Sequence, residues 1–168
     1  MNDKVKTALA FVLFFASITV PMLIMAWVWY AYDVQTAIIS ALVGFGVLFL
    51  AGALLLWRVR DLSWLTISLP YLFSAAYSAL PDVLPGPIDD SVVAALGALF
   101  SALLAARNNP QTPRWVFIVL LLAVIYNFFG FAIPGPVDEI IANFAALIIF
   151  LYGSRRVESP PQITISTK

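Results

Sequence analysis

At 168 residues, 62% hydrophobic and 11% charged, with a mean hydropathy of +0.98, the chain is too apolar for a water-soluble domain, which carries roughly 25% charged residues. Formal net charge is zero, and neither Cys nor His occurs. That excludes a disulfide framework and thiolate metal sites, and it removes the commonest general base and metal ligand. No enzyme, cofactor or nucleic-acid partner is expected.

In chain order, a short basic flank around Lys4 and Lys6 precedes an uncharged run, Ala8 to Tyr30. Its length exceeds the 7–15 residues of a signal-peptide core. It ends in Trp27, Trp29, Tyr30 and Tyr32, the aromatics of a membrane–water interface. This predicts a retained transmembrane helix kinked at Pro21. After Asp33, Val34 to Trp57 forms a second span, loosened by Gly44, Gly46 and Gly52, and Arg58-Val59-Arg60-Asp61 stops it. Leu62 to Leu80 reads as a third span containing Pro70. The fourth runs from about Ile88 to Ala106. A Pro-punctuated polar loop, Arg107 to Arg114, separates it from the fifth, Trp115 to Ile133. The sixth ends at Tyr152, before Ser154-Arg155-Arg156. Residues 157–168 read as a disordered tail. The fold class is therefore all-α, a polytopic membrane protein of six helices, each able to cross ~30 Å of hydrocarbon in about 20 residues.

One phrase occurs twice: Pro85-Gly86-Pro87-Ile88-Asp89-Asp90 and Pro134-Gly135-Pro136-Val137-Asp138-Glu139, offset by 49 (134 − 85). The same offset pairs Tyr77 with Tyr126 and Arg107 with Arg156. Each phrase joins two apolar runs, so the last four spans read as two tandem hairpins, residues 62–106 and 115–156, following an N-terminal hairpin, residues 1–61. Within the fourth span Ala94, Ala98 and Ala102 recur at i+4, beside Gly97, Ser101 and Ala105. Small residues at that spacing allow close helix packing in lipid.

Two readings of the acids stand side by side. Asp89, Asp90, Asp138 and Glu139 fall in a first helical turn behind Pro87 and Pro136, where negative charge opposes the helix dipole. Alternatively, one inward acid per repeat, with Asp82, Asn127 and Asn143, would offer oxygen ligands to a hard cation. Asn143 lies four residues after Glu139, on its face. Asn127 and Asn143 are the only Asn residues within the six spans, and polar groups at such depth face the bundle interior. No Lys, Arg or carboxylate lies mid-span, which argues against proton-coupled transport.

Charge sets the topology. Every Lys and Arg falls before the first span or after the second, fourth and sixth, and Asp33 and the acids of the two bends occupy the alternate connections. The positive-inside rule makes both termini cytoplasmic, in a plasma or inner membrane. The stretch Leu80 to Val93, with Pro81, Asp82, Pro85, Gly86, Asp89 and Asp90, resembles the signature of the YkvA-like domain of unknown function. The Pro-to-Gly gap is shorter here, and the second copy has Phe131 in place of Asp82 and Glu139 in place of Asp90. The resemblance covers about one hairpin and implies no activity. The function expected from the residues is helix–helix association as a subunit or assembly partner, with the lipid bilayer, a second copy or a larger membrane complex as partner. The alternative is a small cation channel or transporter using the acids at the bends.

Overall fold

A computed structural model describes residues 2–77, 88–129 and 137–154, and among them all regular secondary structure is helical. The order is α1 (Asp3–Ala31), α2 (Val34–Trp57), α3 (Trp64–Ile67), α4 (Leu69–Tyr77), α5 (Ile88–Asn108), α6 (Arg114–Phe129) and α7 (Val137–Gly153). Three helical stretches, Asp3–Ala31, Val34–Trp57 and Ser91–Asn108, are long and apolar enough to cross a membrane, and α6 and α7 are shorter apolar helices. Large apolar side chains cover the outside: Leu23 is 71% exposed, Ile148 64% and Ile141 63%. A surface of that kind is stable against lipid and aggregates in water.

Helices α1 and α2 form a hairpin through Tyr32 and Asp33. The Asp33 carboxylate caps α2, accepting the Thr36 backbone N–H at 2.8 Å and its hydroxyl at 2.7 Å, and the backbone bond foremost holds its carboxyl below the usual range. The glycines of α2 are not uniformly loosening. Gly52 lies where a Cβ would stand 3.3 Å from the Ala10 carbonyl and the Phe14 ring, whereas Gly46 faces open space. Stacked and edge-on rings continue the seam from Phe14 through Phe49 and Phe45 to Tyr77 of α4. Such pairs add about 0.5–1.5 kcal/mol each beyond burial.

The remaining helices close a ring, α4 against α5, α5 against α6, α6 against α7, and α7 back against α4; α1 lies on α4 and α2 on α5. The Leu62–Leu80 run, expected as one span, is broken here. Its helix begins at Trp64 and is interrupted at Ser68. Pro70 permits the break, because it has no N–H to return to the preceding turn. The next amide, Tyr71 N–H, donates instead to Ser101 Oγ of α5 at 3.0 Å, and Ser74 Oγ donates back to the Pro70 carbonyl one turn earlier at 2.9 Å. Gly97 sits at this crossing with no side chain to spare: a Cβ there would stand 1.9 Å from Ser74 Oγ and 2.8 Å from the Pro70 carbonyl.

One end of the bundle collects helix termini and basic residues. Lys6 pairs with Asp3 at 2.6 Å and also donates to the Arg58 carbonyl at 3.3 Å. Arg107, at the end of α5, donates to the Trp57 carbonyl at the end of α2, with its guanidinium 5.0 Å from the Trp57 ring centroid. Asn108 holds Leu62 through both backbone groups, and Asn109 reaches the Ser154 carbonyl after α7. The orphan carbonyls of helix ends are satisfied in this way by Lys, Arg and Asn donors.

Candidate functional site

The α6–α7 hairpin carries the polar residues that the fold brings inside. Asn127 on α6 and Asn143 on α7 are both fully buried. Asn127 Nδ2 donates to Asn143 Oδ1 at 3.1 Å, and Asn143 Nδ2 returns a bond to Asn127 Oδ1 at 3.3 Å. Across the closure of the ring, the Tyr71 hydroxyl of α4 donates to the same Asn143 Oδ1 at 3.2 Å. Three helices are thereby tied at one buried point. An amide pair buried without such partners would cost roughly 1–3 kcal/mol per unsatisfied group.

A second pair lies nearer the start of α7. Asp138, only 7% exposed, accepts the Tyr126 hydroxyl on Oδ2 at 2.9 Å, and among the described residues its buried Oδ1 has no partner. Tyr126 and Asn127 are consecutive on α6. Asp138 and Asn143 are five residues apart on α7, about 7.5 Å along the axis and some 140° around it. The two pairs therefore occupy neighbouring levels of one hairpin, on different aspects of α7.

Of the other residues singled out in the sequence, Asp82, Pro85, Gly86, Pro87, Pro134, Gly135 and Pro136 lie outside the described residues, as do the side chains of Asp89, Asp90 and Glu139. The cation-site and hairpin-bend readings thus meet the structure only at Asp138, Asn127 and Asn143. Ala94, Gly97, Ala98, Ser101 and Ala105 are buried on α5 and Ala102 is half-buried. Among the described residues no group of three or more acidic or other metal-ligating side chains gathers. The sequence reading missed Tyr71 as a partner of Asn143. Its only local signal is position, one residue after the Pro70 break, and nothing in the chain marks its reach across the ring. The repeat marks Tyr126 as the counterpart of Tyr77, and nothing in it marks a donor to the carboxylate.

Chemically, the Asn–Asn–Tyr cluster is largely self-satisfied and suits fixing helices. The Asp138–Tyr126 pair retains one open acceptor oxygen and suits a ligand that donates or is positive. Comparison of the chain with protein-family models, with curated proteins and with solved structures finds no match.

Proposed function

We propose that the chain is a non-enzymatic integral membrane protein of six spans with both termini cytoplasmic, acting through helix–helix association as a subunit of a larger membrane assembly. The observation that carries this reading is the interhelical lock of Tyr71, Asn127 and Asn143, whose bonds are spent on one another in a fixed bundle, while apolar side chains face outward. In lipid, association of helices depends on close packing and such polar ties, and a locked bundle presents constant faces to a neighbour. The tandem-hairpin reading has support at two levels. Helices α5 and α7 begin 49 residues apart (137 − 88). The Ser74–Gly97 crossing has as its counterparts at that offset Ala123 and Ala146 (74 + 49 and 97 + 49), both small and buried.

Because the chain lacks Cys, single cysteines report sidedness directly. Asn109→Cys should react with an impermeant maleimide only from the cytoplasmic side, and Asp33→Cys only from outside. Labelling of both from one side would remove the six-span topology. For assembly, mass measurement of the chain released from its membrane in lipid nanodiscs should give a defined stoichiometric complex. A monodisperse single chain, with no intermolecular cross-link in the intact membrane, would refute association.

A second reading, cation binding, is favoured by one observation: the open, buried Oδ1 of Asp138. Binding to the folded state would stabilise it with the logarithm of ligand excess, by about 2.7 kcal/mol at one hundred times Kd, and so raise the melting temperature. Millimolar calcium, magnesium, sodium or potassium should then stabilise the unmodified chain and not Asp138→Asn. An unchanged melting temperature with all four ions leaves Asp138 as a helix-start acid bonded to Tyr126.

A further inference from the structure

A groove of about 660 Å³ runs between the start of α1 and the α3–α4 segment. We propose that it holds one acyl chain and the headgroup of a phospholipid with a primary ammonium, of the phosphatidylethanolamine class. The inference rests on the membrane placement of α1 given above and goes beyond the assembly reading.

Both walls grade in the same direction. On α1 the lining passes from Lys4 to Phe11 and Val12, and on the other wall from Asp61 to Leu65 and Leu69. The α1 wall spans residues 3 to 12, about 13 Å of helix rise. That matches one leaflet, half of a ~30 Å hydrocarbon core. The volume lies in the ordinary range of ligand sites, about 300–1,000 Å³. Leu65 is 55% exposed and Val12 57%, so the apolar end opens sideways into the surface that faces lipid, and a chain can enter without crossing the bundle.

The mouth selects the headgroup. Asp3, also at this end, is engaged by Lys6 and by the Arg60 backbone N–H at 3.3 Å. Lys4 and Asp61 are exposed, and among the described residues the only ion pair is that between Lys6 and Asp3. One cation and one carboxylate at the mouth complement a zwitterion: Lys4 Nζ donates to phosphate oxygens, and Asp61 accepts from the ammonium in a charge-assisted bond. Only a primary ammonium gives Asp61 a charge-assisted donor: a glycerol headgroup offers neutral hydroxyls, and a quaternary ammonium has no N–H.

The test uses the full chain, stripped of lipid in detergent and returned to micelles doped with dioleoyl phosphatidylethanolamine, phosphatidylcholine or phosphatidylglycerol. Phosphatidylethanolamine should raise the melting temperature most and be retained on repurification at about one lipid per chain. Asp61→Asn should lower that retention about fivefold, equivalent to ~1 kcal/mol, and Lys4→Gln should act similarly. Ala8→Phe, which fills the groove, should lose retention of every lipid, while its helical signal and cysteine-labelling pattern stay those of the parent. Equal retention of all three lipids, or retention unchanged by Asp61→Asn, would overturn the headgroup assignment. Retention unchanged by Ala8→Phe would overturn the groove itself. Loss of the six-span labelling pattern would instead count against the membrane topology, which is a separate failure.

Discussion

Replacing Gly97 with alanine is expected to destabilise the bundle by about 3 kcal/mol or more, the upper end of the overpacking range. The added methyl would overlap Ser74 Oγ at 1.9 Å, Ser74 Cβ at 2.5 Å and the Pro70 carbonyl at 2.8 Å. A flexible side-chain tip could move aside, but the Pro70 carbonyl is backbone and is held by its place in the α4 turn. Helix α4 would therefore have to retreat from α5, breaking the bond from Tyr71 N–H to Ser101 Oγ. Ser74→Gly should rescue Gly97→Ala only in part, because it clears the hydroxyl and Cβ and leaves the carbonyl. Leu99→Ala on the same helix serves as the control. Leu99 is 53% exposed, and removing a lipid-facing side chain should cost little. Unfolding in mixed micelles, followed by far-UV circular dichroism, measures all three variants. If Gly97→Ala melts with the parent, the α4–α5 crossing is looser than described.

The second large effect is expected at the amide pair. Asn143→Leu removes the acceptor of Tyr71 and both of Asn127's bonds to that amide, so it should cost about 2 kcal/mol, within the range for stranded buried polar groups. Asn127→Leu should cost a similar amount. The double replacement should be less damaging than the sum of the two, by 1 kcal/mol or more, since two leucines leave neither amide stranded. Tyr71→Phe removes one donor and leaves Asn143 paired with Asn127. It should cost only about 0.6 kcal/mol, the average for interhelical bonds in membranes. Additive energies in the Asn127–Asn143 cycle would mean that the pair does not act as a unit. They would also remove the observation on which the assembly proposal stands.

What the chain determines by itself is periodicity, polarity and punctuation. The bounds of α2 are legible because Asp33 can cap it and Trp57-Arg58 ends it, both local effects. Helix character in the apolar runs follows from length and from the need to satisfy backbone groups internally in lipid. Asn127 and Asn143 are identifiable as interior residues because an amide in an apolar run has nowhere else to be stable. Gly97 and Ser101 can be marked as contact residues from their spacing. Only the tertiary structure decides what they contact.

That decision depends on which helices meet. The ring from α4 to α7 places Tyr71 and Asn143, 72 residues apart in the chain, within one hydrogen bond, and no local pattern encodes such a pairing. The break near Ser68 has the same origin. Pro70 permits it, but a proline in a lipid-embedded helix can also be carried as a simple kink. What converts the kink into an interruption is Ser101 on α5, which offers an acceptor to the amide that Pro70 displaced. Asp138 divides along the same line. Its position at a helix start is written in the Pro-Gly-Pro phrase, whereas the burial of its carboxylate and the orphaning of one oxygen arise because α6 lays Tyr126 against it.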